Sequence, residues 1–178
     1  MGQYPVIFWS LKSVEGLSFD DQIQEWFSEK IQHDANTQQF YKELQAGNAT
    51  SIETYLNEMM NKTISVYDTK TNQIENSCHM FLNGILCANG NWYTRSNVES
   101  GDGFADIIIE TEDIDEGIVI EVKHCERYVD MEKYAQQAIE QIKAKRYAAY
   151  LQNELRTKTH IYGIAFCKKR CKVIGEAL

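Results

Sequence analysis

The chain has 178 residues, of which 43% are hydrophobic, and this length and composition predict one globular domain or one domain with an appendage. Its formal net charge of −8 disfavours an extended polybasic surface of the kind that binds nucleic acid. No run of eighteen apolar residues occurs, so the sequence predicts no membrane-spanning helix.

The amino-terminal part of the chain is predicted to be mainly helical after one strand. Residues 4–9 are apolar and have no basic segment before them, which predicts a strand rather than a signal peptide. Helices are predicted over residues 19–32 and 37–45, the second ending at Gly47. Residues 50–53 (Thr-Ser-Ile-Glu) fit the capping-box pattern and are expected to open a third helix.

Strands dominate the second half of the chain. After a helix over residues 74–88, strands are predicted over residues 92–95, 104–110, 118–123, 161–166 and 172–174. The acidic turn at 112–117 should join the second and third of these strands into a hairpin, and a long helix is predicted over residues 130–155. This order predicts an α/β fold in which a mixed sheet is flanked by helices.

The predicted hairpin brings three chemically distinctive side chains together. Side chains alternate between the faces of a strand, so Glu121 and Lys123 share one face, and Asp106 on the paired strand lies beside them. Two carboxylates suit Mg²⁺, to which the backbone carbonyl of Val122 would add a third oxygen. Taken alone, the pattern fits a solvated hairpin with a routine salt bridge equally well.

Four blocks of sequence add a family resemblance to this pattern. Residues 96–108, 120–123, 138–147 and 162–166 closely resemble, in this order, the PD-(D/E)XK nuclease-superfamily domain that commonly follows an AAA-ATPase-like domain in bacterial proteins. The resemblance covers roughly residues 37–174. It implies a restriction-endonuclease-like core and a metal-dependent nuclease activity.

The resemblance also assigns roles to individual residues. Asp106 matches the family's metal-binding aspartate, while Glu121 and Lys123 match its (D/E)XK pair. Gln141 matches a glutamine on the helix after the core hairpin, and His79 falls where RecB-like relatives place a metal-binding histidine. A structural hydrogen bond is the alternative for His79. Ala105 stands where the superfamily's name has proline, a position that shapes only the backbone.

Further candidates for the site lie outside the hairpin. Glu99 is a candidate for contact with metal or water, or for satisfying backbone groups in its glycine-containing loop. Candidate phosphate contacts, which could equally be an ordinary charged surface, are Arg95, Lys143, Lys145, Lys168, Lys169 and Arg170.

The first 35 residues resemble part of the ATPase-like domain that usually precedes this nuclease domain. The chain contains no Gly-x-x-x-x-Gly-Lys-Ser/Thr loop, so no ATP binding is expected. Residues 1–35 are therefore interpreted as a remnant and residues 36–178 as the nuclease-like domain. The apolar strand at residues 4–9 is expected to pair with the sheet edge or with a second copy of the chain, which makes a homodimer plausible.

These observations predict a nuclease that hydrolyses phosphodiester bonds, in DNA by preference, with Mg²⁺ or Mn²⁺ as cofactor. The alternative is an inactive nuclease-fold module that binds nucleic acid or a protein partner. The sequence does not separate DNA from RNA as the substrate. Five cysteines, an odd number, predict reduced thiols and a cytoplasmic protein.

Overall fold

A computed structural model describes residues 34–63 and 74–178. The strand predicted at residues 4–9 and the helix predicted at 19–32 lie outside the described residues. Among the helices that are described, none is long and apolar enough to cross a lipid bilayer.

Three helices precede the sheet: α1 (Ala35–Gln45), α2 (Ala49–Thr63) and α3 (Ile74–Cys87). The carboxylate of Asp34 accepts a hydrogen bond from the backbone N–H of Thr37 at 3.2 Å and so caps α1. The boundaries predicted for α1 and α3 are confirmed to within two residues, because each helix has an apolar stripe and a clear stop signal.

The capping box predicted at residues 50–53 is wrong. Asn48 caps α2 instead, since its Oδ1 accepts from the backbone N–H of Ser51 at 3.3 Å, and Thr50 lies inside the helix. Glu53, the expected acidic member of the box, accepts a hydrogen bond from the backbone N–H of Val173 at 3.0 Å and pairs with Lys172. A tertiary contact therefore takes the side chain that the local pattern assigned to the helix end.

The sheet contains five strands in sequential order. These are β1 (Tyr93–Ser100), β2 (Gly103–Glu110), β3 (Glu116–His124), β4 (Lys158–Cys167) and β5 (Arg170–Ala177). All neighbours are antiparallel except β3 and β4, which are parallel. The predicted mixed sheet and the predicted β2–β3 hairpin are both confirmed.

The prediction of one continuous helix over residues 130–155 is wrong, because the helix is interrupted in its middle. The chain forms a short 3₁₀ turn (Tyr128–Asp130), then α4 (Met131–Ala144) and α5 (Ala149–Asn153), and Arg146 between the helices has φ 54°. The break docks on the β1–β2 turn, where the backbone N–H of Asp102 donates to the carbonyl of Lys145 at 2.8 Å and its carboxylate pairs with Arg146. This contact joins two segments that are distant in sequence, and it ends α4.

The sheet is covered on both faces. One face packs on α1, α2 and α3 through a large apolar cluster that includes Leu44, Ile52, Leu82, Ile120 and Tyr162. The other face packs on α4 and α5 through a smaller cluster that includes Ile108, Val119, Ile139, Ile142 and Leu151. Strand β3 therefore lies between two layers, and a polar side chain in its middle, such as that of Glu121, is buried.

Helix α4 lies unusually close to the sheet. A Cβ added at Gly163 of β4 would come within 2.1 Å of the backbone oxygen of Ala135, so only glycine permits this approach. Gly163 is the register partner of Glu121 on β3. The close contact thus sets the distance between the polar face of α4 and the central strand at the level of Glu121.

Candidate active site

Glu121 is a buried carboxylate in the middle of the molecule. Only 2% of the residue is exposed, because α4 covers the face of β3 to which it belongs. Its Oε1 accepts hydrogen bonds from Lys123 Nζ at 2.8 Å and from Gln141 Nε2 at 2.5 Å. Its Oε2 is buried without a hydrogen-bond partner among the described residues. Glu121 and Lys123 form the ion pair that the alternative interpretation expects, but Glu121 is buried, so the pair is not a solvated surface salt bridge.

Asp106 lies beside Glu121 because of an irregularity in the sheet. The β2–β3 ladder pairs Ile107 with Ile120, and beyond this pair the Oδ2 of Asp106 accepts from the backbone N–H of Val122 at 2.8 Å. On the other side of Asp106, Asn97 of β1 has φ 53° and leaves the regular pairing. The carboxylate thus takes a place normally held by a strand carbonyl, and this fixes it against β3.

The two carboxylates repel one another. Burial, and secondly the negative charge of Asp106, raise the pKa of Glu121 to about 7, even though Lys123 and the backbone of Asp106 partly oppose the shift. Glu121 therefore resists ionisation unless further positive charge is close to it.

A divalent cation fits these residues. The described residues contain no group of three or more His, Cys, Asp or Glu side chains that could hold a metal ion. The site offers instead the carboxylates of Asp106 and Glu121. Of these, the buried Oε2 of Glu121 has no hydrogen-bond partner among the described residues. Mg²⁺ commonly binds proteins through one or two carboxylates and keeps water on its remaining positions, so this donor set suits it.

His79 on α3 contacts the backbone of Asp106. Its Nε2 lies 3.1 Å from the carbonyl oxygen of Asp106 and 3.3 Å from Ser96 Oγ. A carbonyl oxygen only accepts hydrogen bonds, so Nε2 carries the proton in this arrangement and supports the strand rather than presenting a lone pair. Glu99 is exposed on β1 opposite Phe104, and no hydrogen bond within the described part of the chain joins it to Asp106 or Glu121.

A hydrogen-bonded chain connects the β1–β2 turn to Glu121. Ser100 Oγ donates to the carbonyl of Tyr147 at 2.6 Å, and the hydroxyl of Tyr147 accepts from Gln141 Nε2 at 3.2 Å. Gln141 in turn donates to Glu121. The sequence interpretation assigned no role to Tyr147, although it ends one of the resembling blocks.

The candidate phosphate contacts do not lie together. Arg95 packs over the ring of Tyr93 at 4.5 Å and lies 3.5 Å from Glu110, and Lys143 forms an ion pair with Glu176. Lys145 is exposed at the end of α4. At the β4–β5 turn, Lys169 Nζ donates to the carbonyl of Asn61 at 3.3 Å, whereas Lys168 and Arg170 lie over the ring of Tyr128.

A mixed sheet flanked by helices, with Asp106, Glu121 and Lys123 gathered on one hairpin, is the arrangement of a restriction-endonuclease-like protein. The family model of the PD-(D/E)XK nuclease superfamily matches residues 73–176, which is more than half of the chain. The chain therefore belongs to this superfamily, whose members are typically nucleases that use divalent metal ions. No curated protein matches the chain. The predicted superfamily and fold class are confirmed.

Proposed function

We propose that the chain is a metal-dependent nuclease that hydrolyses phosphodiester bonds in DNA with Mg²⁺ or Mn²⁺. One observation carries the proposal: the buried Oε2 of Glu121 has no hydrogen-bond partner in the described residues and lies in a carboxyl group whose pKa is raised by burial and by Asp106. A buried unpaired carboxylate oxygen is costly, so its presence beside a second carboxylate supports a cation-binding role.

In this proposal Asp106 and Glu121 hold the cation, and the backbone carbonyl of Val122 adds a third oxygen. A bound divalent ion lowers the pKa of a coordinated water and polarises the phosphate. The hydrogen bond from Val122 N–H holds Asp106 in place, and the contact with Gln141 holds Glu121. His79 and Glu99 remain candidate ligands, which the proposal does not require.

Lys123 is proposed to act on the reacting groups directly. Its side chain is 25% exposed, so the ammonium group reaches solvent while it donates to Glu121 Oε1. An ammonium group at this position can orient the attacking water or neutralise charge that develops on the phosphate in the transition state.

The division of the chain into a remnant at residues 1–35 and a nuclease-like domain at 36–178 belongs to the same proposal. Helix α1 supports the boundary, because Phe40 and Leu44 lie in the same apolar cluster as the sheet residues Ile120 and Tyr162. Association with an ATPase-like domain is an expectation from the resemblance alone.

A cleavage assay tests the proposed activity. Supercoiled, linear and single-stranded DNA, and an RNA of matched sequence, would be incubated with the protein in Mn²⁺, Mg²⁺ or EDTA. Asp106→Ala and Lys123→Ala would be compared with Asp115→Ala and Lys158→Ala, which alter an exposed carboxylate and an exposed lysine away from the site.

Cutting that needs metal, persists in the two control variants and is lost in both site variants is the expected result. The nucleic acid that is cut fastest then defines the substrate class. If no substrate is cut, the inactive binding module becomes the better description of the chain.

A further inference from the structure

Two exposed cations converge on one aromatic ring at the β4–β5 turn. Lys168 Nζ lies 5.6 Å from the ring centroid of Tyr128, and the guanidinium carbon of Arg170 lies 5.2 Å from it. Both distances fall within the range of cation–π attraction. Tyr128 thus holds two flexible side chains in one place. We name Tyr128, Lys168 and Arg170 the phosphate clamp.

The phosphate clamp lies at the carboxyl ends of β3 and β4, the same end of the sheet as Glu121 and Lys123. Strands β3 and β4 are parallel, with Glu121 opposite Gly163 and His124 opposite Phe166. The turn that carries Lys168 follows β4 directly. From Gly163 to the end of β4 at Cys167 is about 13 Å along the strand, at roughly 3.3 Å per residue. A nucleic-acid strand bound at Glu121 would reach this turn within a few nucleotides.

The positive charge of the clamp is not neutralised. Within the described ranges, neither Lys168 nor Arg170 forms a salt bridge. Of the charged residues next to Tyr128 in sequence, Arg127 and Asp130 pair with one another at 2.6 Å, and Glu126 forms no salt bridge with either clamp cation in the described part of the chain. Arg95 and Lys143, by contrast, each have a carboxylate partner.

Resting on the nuclease function proposed above, we infer that the phosphate clamp binds a backbone phosphodiester group of the substrate strand, a few nucleotides from the bond that is cut. An arginine guanidinium can bind two phosphate oxygens at once, and the lysine adds a second positive charge. The ring of Tyr128 orients the two cations. Because cations bind phosphate oxygens, the clamp contacts the sugar–phosphate backbone and not the bases. Contacts of this kind position a nucleic acid without selecting its sequence.

Binding measured in EDTA separates the clamp from catalysis. Fluorescence anisotropy would follow a labelled single-stranded DNA oligonucleotide, and a matched oligonucleotide of abasic sugar–phosphate, over a series of salt concentrations. The variant Lys168→Ala/Arg170→Ala should bind more weakly, and the slope of log K against log salt should fall by about 0.7 for each cation removed. The control Lys42→Ala/Lys158→Ala removes two exposed lysines away from the β4–β5 turn and should leave the slope unchanged.

Substitution of the ring tests the role of Tyr128. Tyr128→Phe keeps the aromatic face and should bind as the unaltered chain does, while Tyr128→Leu should weaken binding several-fold because the cations lose their support. Equal binding by the abasic strand supports backbone recognition. Displacement of the oligonucleotide by millimolar inorganic phosphate would instead identify a site for small anions and overturn the inference.

The outcomes for the clamp and for the proposed activity are independent. If the chain cuts DNA but the clamp variants bind with an unchanged salt slope, the inference about the clamp is wrong and the proposed nuclease activity is supported. If the clamp variants lose binding while no metal-dependent cleavage occurs, the clamp stands and the proposed activity is wrong. If the unaltered chain binds neither oligonucleotide, the clamp is overturned.

Discussion

Glu121 is held where burial and a neighbouring carboxylate both oppose its negative charge, and this has a consequence for stability. Without metal, its pKa in the folded chain is about 7, against an ordinary value of 4.5. Between these two pH values the folded chain binds more protons at this group than the unfolded chain does. The free energy of unfolding therefore falls as the pH rises from about 4.5 to about 7, and the loss is complete above pH 7.

Glu121→Gln should remove this pH dependence, because glutamine does not ionise. In EDTA the contribution is at most about 3 kcal/mol, and the variant should gain stability relative to the unaltered chain at pH 8 but not at pH 4. Urea unfolding at both pH values measures it, with the exposed Glu99→Gln as the control. An equal pH response in Glu121→Gln and the unaltered chain would contradict the assignment.

Divalent cations should have the opposite effect on stability at this site. At a hundredfold excess over its dissociation constant, a single bound ion stabilises the folded chain by about 2.7 kcal/mol. Mg²⁺ or Mn²⁺ should therefore raise the melting temperature by several degrees at pH 8. Asp106→Asn and Glu121→Gln should lose this increase, and Asp115→Asn on the exposed β2–β3 turn should keep it. Equal shifts in all variants would place the metal elsewhere.

Tyr147 acts on the site through Gln141. Tyr147→Phe removes the hydroxyl that accepts from Gln141 Nε2, which should cost about 1 kcal/mol of stability and lower kcat with little change in KM. Tyr150→Phe is a matched control, since its hydroxyl donates to Glu110 at the turn end of the hairpin, away from Glu121. Steady-state kinetics should show the fall in kcat for position 147 alone. A similar fall in both variants would indicate a general loss of structure.

At the scale of elements, the β1–β2 turn and the end of α4 fix one another. Gly101 has φ +57°, and a Cβ there would lie 2.1 Å from the backbone oxygen of Lys145. Gly101→Ala should thus destabilise the chain by at least about 2 kcal/mol, because it adds both a clash and left-handed strain. Asp102→Ala, which removes only an exposed ion pair with Arg146, should cost less. Chemical denaturation compares them, and equal losses would rule out the steric explanation.

The elements that the sequence predicts well are those determined by their own pattern. Helix α3 was predicted over residues 74–88 and spans Ile74–Cys87, since an apolar stripe and the Asn-Gly-Asn turn define it. Alternation along β3 was sufficient to place Glu121 and Lys123 on one face. The break after Lys145 and the loss of the capping box at residues 50–53 were not predicted, because contacts with distant segments hold Lys145 and Glu53.

The candidate site was predictable to a similar extent. The hairpin alone places Asp106 near Glu121, and the structure adds the hydrogen bond to Val122 that holds it there. The burial of Glu121 could not be read from β3, because it depends on α4 approaching at Gly163. Tyr147 and Tyr128 also required the packing of separate elements. Local pattern thus identifies the candidate site groups, and tertiary contacts identify the residues that position them.

At the scale of the whole molecule, charge is distributed unevenly. The net charge of −8 disfavours an extended basic face, and two of the six basic candidates, Arg95 and Lys143, are paired with carboxylates. Positive charge without a carboxylate partner remains at the phosphate clamp, which lies at the same end of the sheet as Glu121 and Lys123. The proposed nuclease, with the one local phosphate contact inferred for it, should bind nucleic acid weakly at high salt.

The most direct test of the nuclease assignment is the rate at which the chain cuts DNA in Mn²⁺, compared with the rates of Lys123→Ala and Lys158→Ala. The assignment predicts cutting that EDTA abolishes, a fall of about a hundredfold or more in Lys123→Ala, and little change in Lys158→Ala. Cutting that survives Lys123→Ala, or no cutting by the unaltered chain, would contradict it.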